Sequence, residues 1–189
     1  MTNSNNRRQQ LLEVAATCFY REGYDAASMR LIAEQAGMRT ASIYYHFESK
    51  DALLVAVHEE ALHRIQEAVN AALMDVKGEW NRLEAACAAH LEMLLTGGTF
   101  FKAVMRHVPS AVEGRELIFK LRDDYERIFA DLIADLELSP ETDRGTLRLM
   151  LLGAMNWTFT WWRPHEGPAP AVLAFRFVTN LRSCLDLPA

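Results

Sequence analysis

The residues best suited to chemistry lie in one short stretch near the N-terminus, between positions 30 and 50. They combine cations, hydroxyl groups and aromatic rings: Arg30, Arg39, Thr40, Ser42, Tyr44, Tyr45, His46 and Lys50. Small hydrogen-bonding residues at the leading end of a helix let its backbone approach base edges in the major groove. Cations and hydroxyls that follow them bind phosphates and fix the register of the helix on the duplex. We therefore expect this stretch to bind double-stranded DNA.

The tyrosines and the lysine in this stretch have distinct expected roles. Tyr44 and Tyr45 are adjacent, so their side chains point about 100° apart on a helix. One can pack inward while the other lies along the phosphates. Lys50 follows Ser49, a residue type that caps helices, so its ammonium and the first turn of the next helix can address one phosphate together.

Catalysis and metal binding are not predicted. His58 and Glu59 precede His63, but the second histidine comes five positions after the first, so the two rings do not share a helix face as they do in H-E-x-x-H. Neither a glycine-rich phosphate loop nor a nucleophile elbow occurs. The three cysteines are scattered without CxxC spacing, which is typical of reduced thiols. We expect no enzyme activity, no metal site and no cofactor.

The charge of the chain is divided unequally. Its 189 residues carry 20 Lys and Arg against 25 Asp and Glu, a net charge of −5. Residues 1–50 hold six basic and five acidic residues, a net of +1, and the remaining residues therefore carry −6. This asymmetry indicates two parts with different roles.

Composition also restricts where the protein is expected to work. The most apolar stretch, 149–162, contains Gly153 and Asn156 and is shorter than the roughly 20 apolar residues that a membrane helix needs. The N-terminal sequence lacks the apolar segment of a signal peptide. We expect a cytoplasmic protein without a membrane partner.

Apolar residues repeat at three and four positions along most of the chain, which predicts an all-α fold of about nine helices. The first helix ends near Gly23, and the second begins after the cap Ser28 and ends at Gly37. The third is expected over about 40–46. The later helices are expected over 50–78, 79–96, 100–107, about 112–136, 139–163 and about 171–185.

Residues 7–55 carry a pattern that is more specific than helix spacing. It consists of Phe19, Gly23 and Tyr24, then Ser28, Leu31, Ile32, Ala33, Ala36 and Gly37, then Ser42, Ile43, Tyr44, Tyr45, His46 and Phe47, then Ser49, Lys50, Leu53 and Leu54. This pattern closely resembles the TetR family of one-component transcriptional regulators. The resemblance implies a helix-turn-helix DNA-binding domain over residues 6–66, with its recognition helix at about 40–46. It further implies a helical effector-binding and dimerisation domain over residues 67–189.

The middle of the chain is rich in aromatic and methionine side chains, which suit a cavity that adapts to a bulky apolar ligand. The expected effector-binding residues are Phe100, Phe101, Met105, Arg106, Phe119, Asn156, Trp157, Trp161, Trp162 and Arg163. Residues 156–164 resemble a pattern of the TetR branch that senses acyl-CoA thioesters in lipid, sterol or aromatic-acid degradation. That resemblance implies a tryptophan stacked on adenine and arginines on the CoA phosphates. Singly, each of these side chains also fits ordinary core packing.

The last two helices have more apolar surface than one core contact requires. The expected dimer residues are Met150, Leu151, Ala154, Phe177, Val178 and Leu181. The resemblance implies a homodimer that binds a palindromic operator and leaves it when a hydrophobic effector binds.

Two other functions stay open at this point. One is a TetR-type regulator of efflux genes that senses hydrophobic or cationic drugs. The other is a helical interaction protein that does not bind DNA, which leaves the concentration of cations and turn signals in the first fifty residues unexplained.

Overall fold

The computed structural model describes residues 2–185, with side chains from residue 6 onward. Nine α-helices and no strand occur in this range, which confirms the all-α prediction. They are α1 (Thr2–Ala26), α2 (Met29–Gln35), α3 (Thr40–His46), α4 (Lys50–Leu73), α5 (Glu79–Thr96), α6 (Gly98–Val104), α7 (Arg115–Ala134), α8 (Arg144–Trp161) and α9 (Pro170–Leu185). Residues 186–189, the end of the predicted second domain, lie outside the described range. Within 2–185, no helix has both the length and the apolar character needed to cross a membrane.

Local caps place the short helices where the sequence predicts them. The Ser28 hydroxyl accepts the N–H of Leu31 at 3.1 Å and starts α2. Gly37 has a φ of 64°, which favours glycine, and this turn leads into α3. The Ser49 hydroxyl accepts the N–H of Ala52 at 3.0 Å and starts α4. The predicted recognition helix is therefore present with its predicted bounds.

The end of α4 and the start of α8 differ from the prediction. α4 ends at Leu73 rather than near Gly78, because Asp75 adopts a left-handed conformation with a φ of 62°. α8 begins at Arg144 rather than near Ser139. The Asp143 carboxylate accepts the N–H groups of Gly145 and Thr146 at 3.0 and 3.1 Å, whereas the Ser139 hydroxyl accepts that of Glu141 at 3.3 Å.

The segment between α6 and α7 is longer than expected. α6 ends at Val104 and α7 begins only after Gly114, which has a φ of 83°. A Cβ at Gly114 would lie 2.9 Å from a Val55 methyl group, so this turn packs tightly on α4 and requires glycine. Residues 105–114 therefore form a connection rather than the ends of two helices.

The chain divides into two compact units, and the predicted domain boundary at residue 66 stays a prediction. The first contains Met1–His63 and Gly98–Arg122, and the second contains Arg64–Gly97 and Asp123–Ala189. Residues 98–122 belong to the first unit because α6 packs against α1. The part of this unit formed by α1, α2, α3 and the start of α4 is called the headpiece. Thr17 on α1 and Thr99 on α6 also share a hydrogen bond of 2.9 Å between their hydroxyl groups.

In the first unit, α1 also packs against α2, and α2 packs against α3. The core of this unit includes Leu11, Leu12, Ala15, Phe19, Ile32, Ile43 and Leu53. Gly23 interrupts α1 with φ 80° and ψ 165°, a conformation that only glycine adopts readily. Residues 24–26 therefore turn away from the helix axis.

In the second unit, α5 packs against α8 and α9. The Arg144 guanidinium closes the end of α7, since it donates to the carbonyl oxygens of Ile133, Ala134 and Leu136. The last carbonyls of a helix lack helical partners and carry partial negative charge. Arg144 satisfies them and stabilises the turn between α7 and α8.

Candidate functional site

The outward face of α3 carries the residues predicted to contact DNA. Ile43 is fully buried, which fixes the helix on the headpiece core. Tyr45 is 85% exposed and Tyr44 52% exposed, so both rings face solvent and neither packs inward. Arg39 and Ser42 are exposed beside them. The face therefore presents a cation and three hydroxyl groups to solvent.

The other predicted DNA contacts surround this face with different degrees of exposure. Arg30 on α2 is exposed, whereas Thr40 and His46 are half-buried. The His46 ring packs edge-on against the Tyr45 ring, with 5.3 Å between centroids. Phe47 is buried beneath the Arg8 guanidinium, which lies 5.2 Å from its ring centroid. Phe47 is thus a core residue.

Lys50 has partners inside the headpiece. Its ammonium donates to the Tyr24 carbonyl at 2.8 Å and to the Asp25 carbonyl at 3.4 Å. It also lies 4.1 Å from the centroid of the Tyr24 ring. Lys50 therefore ties the end of α1 to the start of α4, and its expected phosphate contact would have to use the third ammonium proton.

Asp51 joins three segments of the same unit. Its carboxylate accepts a hydrogen bond from the Tyr24 hydroxyl and, at 2.7 Å, from the backbone N–H of Glu113. Burial and the nearby Asp51 carboxylate raise the pKa of Tyr24, so its hydroxyl remains a proton donor to Asp51. This junction holds α1, α4 and the segment before α7 in one arrangement.

Five of the predicted effector residues lie in the first unit. Phe100 and Phe101 are buried and pack edge-to-face, with 5.5 Å between ring centroids. Met105 is half-buried and Arg106 is exposed. Phe119 lies between two guanidinium groups, with Arg115 at 4.4 Å and Arg122 at 5.9 Å from its ring centroid. The contacts of these phenylalanines are those of core and cation–π packing.

The second unit contains a buried chain of polar side chains that includes the predicted residue Asn156. The Asn156 Oδ1 lies 3.1 Å from Nε2 of His90, and the His90 Nδ1 lies 2.7 Å from the Tyr125 hydroxyl. A carbonyl oxygen only accepts, so His90 donates from Nε2 and accepts the Tyr125 proton at Nδ1. Phe129 packs edge-on against the His90 ring.

His90 and Tyr125 were not among the predicted site residues. They lie 66 and 31 positions before Asn156, and only the tertiary fold of α5, α7 and α8 brings the three together. Burial raises the pKa of Tyr125 and of nearby Cys87. The Tyr125 hydroxyl therefore stays protonated as a hydrogen-bond donor.

The remaining predicted effector residues have other surroundings. Trp157 is 66% exposed, and Trp161 is also exposed. Trp162 donates from Nε1 to the Pro168 carbonyl at 2.9 Å and packs closely on Gly167. Arg163 is exposed and donates to the carbonyls of Thr160 and Trp162 at the end of α8. These contacts make Trp162 and Arg163 part of the turn after α8.

An exposed apolar face covers α8 and part of α9. On α8 it comprises Leu149, Met150, Gly153, Ala154, Trp157 and Trp161, and on α9 it includes Val172 and Phe175. Of the predicted dimer residues, Met150 and Ala154 lie on this face and Phe177 and Leu181 are half-buried. Leu151 and Val178 are each 4% exposed and belong to the core of the unit, since they lie on the opposite side of their helices. Leu149 and Val172 are additions that the sequence pattern did not single out.

Two buried histidines predict how stability depends on pH. Burial lowers the pKa of both His58 and His90 to about 4, and hydrogen bonds to Leu54 and Asn156 oppose this only in part. An unfolded histidine titrates near 6.5. Between pH 6.5 and 4 the unfolded chain binds protons that the folded chain does not, so the free energy of unfolding falls as the pH is lowered. We expect a loss of about 1.4 kcal/mol per pH unit for each histidine.

Urea unfolding at several pH values between 7 and 4 checks this expectation. His90→Gln should reduce the slope of unfolding free energy against pH by the contribution of one histidine. His107→Gln, which replaces an exposed histidine, is the control and should leave the slope unchanged. Equal slopes in all three proteins would contradict the prediction.

Comparison with known proteins assigns the family. Residues 11–57 match the bacterial regulatory proteins of the tetR family, and residues 77–183 match the tetracyclin repressor-like C-terminal domain. The HTH-type transcriptional repressor Rv1474c of Mycobacterium tuberculosis is 41% identical over 59 residues, which are 31% of this chain and 32% of that protein. The first curated relatives are matched over about a third of their own length.

Two solved structures share the fold over nearly the whole chain. AibR in complex with isovaleryl coenzyme A and operator DNA has a TM-score of 0.79 at 22% identity, covering 92% of this chain and 97% of that chain. FadR from Bacillus subtilis in complex with stearoyl-CoA has a TM-score of 0.77 at 21% identity, covering 92% and 96%. At these identities the likeness is one of fold. The match to the C-terminal domain alone covers more than half of the residues, and the chain belongs to the TetR family of bacterial regulatory proteins.

Proposed function

We propose that this protein is a cytoplasmic transcriptional repressor that binds a palindromic operator as a homodimer and is released by a hydrophobic effector. The observation that carries the proposal is the exposed face of α3, where Tyr44, Tyr45, Arg39 and Ser42 stand on a helix fixed by buried Ile43. Exposed tyrosines contribute little to folding, and their hydroxyls suit phosphate binding. Membership of a family of regulatory proteins supports the same conclusion.

The homodimer is supported by the apolar face on α8 and α9. Met150 and Trp157 are 63% and 66% exposed, and Phe175 is 52% exposed. Large apolar patches on a protein surface commonly mark interaction sites. A two-fold interface would cover the face with a second copy of itself, and two headpieces would then read the two halves of a symmetric operator.

The effector is proposed to bind in the second unit, next to the buried chain of Tyr125, His90 and Asn156. Asn156 uses its carbonyl oxygen on His90, and its amide N–H groups can donate to the carbonyl of an acyl compound. Phe129, which packs on the His90 ring, and Met155, which precedes Asn156 on α8, are buried apolar residues that suit the acyl group. A CoA thioester is the proposed class, supported by the complexes of AibR and FadR with such compounds.

The protein is released from the operator if the effector prefers a conformation other than the one that fits the DNA. The difference between the two affinities sets how far the population can shift. The expected signature is mutual: the effector weakens DNA binding, and DNA weakens effector binding by the same factor.

Selection from a random DNA pool at low salt tests the DNA part of the proposal. The full-length protein should enrich a palindrome, and the same sequence is expected upstream of its own gene. Isovaleryl-CoA or stearoyl-CoA should then release the protein from that DNA in an anisotropy titration. Failure to enrich any sequence would overturn the DNA-binding assignment, and release by cationic drugs alone would favour an efflux regulator.

A variant pair tests the effector part. Asn156→Ala should weaken acyl-CoA binding by about tenfold, the equivalent of one lost hydrogen bond, and leave operator binding intact. Asn70→Ala replaces an exposed asparagine on α4 and serves as the control. Equal acyl-CoA affinity in both variants would exclude Asn156 from the site.

A further inference from the structure

A cavity lies within the first unit, and of the predicted effector residues only Arg106 lines it. Its volume is about 520 Å³, and it is bounded by the end of α1, by α4 and by the chain from Ala103 to Pro109. Cavities of about 300 to 1,000 Å³ are typical of small-molecule sites. The cavity is therefore large enough for a ligand the size of a bulky amino acid.

The floor of this cavity, which we call the cleft, is apolar. Phe19, Leu54, Ala103 and Val108 are all buried there. His58 also lines the floor, but both of its ring nitrogens are used within the protein. Its Nδ1 donates to the Leu54 carbonyl at 2.9 Å, and its Nε2 accepts from Arg122 at 3.4 Å. The His58 ring therefore offers a ligand its carbon surface.

The mouth of the cleft carries opposite charges on its two walls. The carboxylates of Glu22 and Asp25 are exposed on the α1 side, and the guanidinium of Arg106 is exposed on the other side. A Cβ at Gly23 would lie 3.7 Å from an Arg106 nitrogen, so the guanidinium reaches close to the α1 wall. Even so, within the described part of the chain no ion pair of 4 Å or less joins Arg106 to Glu22 or Asp25.

We propose that this cleft binds a zwitterionic small molecule, an apolar amino acid, in addition to the effector of the second unit. The carboxylate would pair with Arg106, the ammonium with Glu22 and Asp25, and the apolar side chain would cover the floor. A simple anion would be repelled by the carboxylates, and a simple cation would be repelled by the guanidinium. A zwitterion satisfies both walls, because charge-assisted hydrogen bonds to ionised groups are the stronger ones.

The occupant also has a structural consequence within the unit. Tyr24 lines the cleft and donates to Asp51 at the start of α4. A ligand between the α1 wall and residues 103–109 therefore braces the Tyr24–Asp51 junction. A ligand that binds only the folded state raises the free energy of unfolding, and this increase grows with the logarithm of ligand concentration once the concentration exceeds the dissociation constant.

Calorimetric titration of the full-length protein tests the proposal, with the apolar amino acids as a panel and L-tryptophan and L-leucine as first probes. N-acetyl-L-tryptophan, which lacks the ammonium, and L-tryptophanamide, which lacks the carboxylate, should each bind at least about tenfold more weakly than L-tryptophan. Absence of binding by every member of the panel would overturn the proposal. Equal binding of L-tryptophan and both blocked analogues would overturn the zwitterionic assignment.

Variants locate the site. Arg106→Gln and Glu22→Gln should each weaken amino-acid binding by about tenfold, whereas Arg21→Gln, an exposed α1 cation that does not line the cleft, should not. Ala26→Trp, which fills the mouth from an exposed position, should abolish binding. Full affinity in Ala26→Trp would show that the ligand binds elsewhere. Glu22→Gln and Ala26→Trp lie outside the predicted effector residues and should leave acyl-CoA titrations unchanged, so failure of this site is distinguishable from failure of the proposed effector site.

Discussion

Trp157→Glu is expected to convert the proposed dimer into a monomer and to abolish operator binding at concentrations where the wild type is saturated. Trp157 is 66% exposed on α8, one helical turn from Ala154 and from Trp161. In a two-fold interface each substitution occurs twice, and a buried carboxylate without a partner is strongly unfavourable. A loss of about 2 kcal/mol per copy would weaken dimerisation by roughly 1,000-fold.

Sedimentation velocity, combined with anisotropy on the selected operator, measures both effects. Leu117→Glu is the control, because it places the same charge at another exposed apolar residue, on α7. It should leave the dimer and the operator affinity unchanged. A dimeric Trp157→Glu protein would show that another surface forms the interface.

Tyr45→Ala is expected to weaken operator binding by about 30- to 150-fold while the melting temperature stays unchanged. The ring is 85% exposed in the free protein, so its removal takes little from the fold. In the complex each dimer would lose two hydroxyl contacts to phosphate, each worth about 1 to 1.5 kcal/mol.

Anisotropy at fixed salt measures the loss, and thermal unfolding checks the fold. Tyr45→Phe keeps the ring and removes the hydroxyl, so it should show most of the loss if the hydroxyl binds phosphate. Retention of wild-type affinity by Tyr45→Ala would remove this residue from the proposed contact surface.

The headpiece was predictable because its signals are local. Ser28 and Ser49 cap their own helices, and Gly37 closes a turn only a few residues away. Such features depend on neighbours in sequence, so α3 appears with the predicted bounds. The start of α8 was missed although its cap is also local. Two capping signals compete there, and only the folded chain shows that Asp143 is used.

The site residues of the second unit were less predictable. Periodicity shows that α8 has apolar faces, but it does not show which face α5 covers. Leu151 therefore proved to be buried, whereas Trp157, predicted for the effector, proved to be exposed. The bond between His90 and Asn156 spans 66 positions and has no signature in the sequence. Lys50 shows the same limit, because its partners Tyr24 and Asp25 are set by tertiary contact.

Because the proposed dimer forms through the apolar face on α8 and α9, the proposed regulation depends on how much of the protein is made. Where chains are scarcer than the dimerisation constant, the amount of dimer rises with the square of chain concentration, so halving expression lowers it about fourfold. Operator occupancy would then respond to synthesis and dilution of the protein as steeply as to its effector. A single chain would meanwhile leave Met150, Trp157 and Phe175 uncovered. Chaperones and proteases recognise such surfaces. Degradation of unpaired chains would make operator occupancy depend still more steeply on chain concentration.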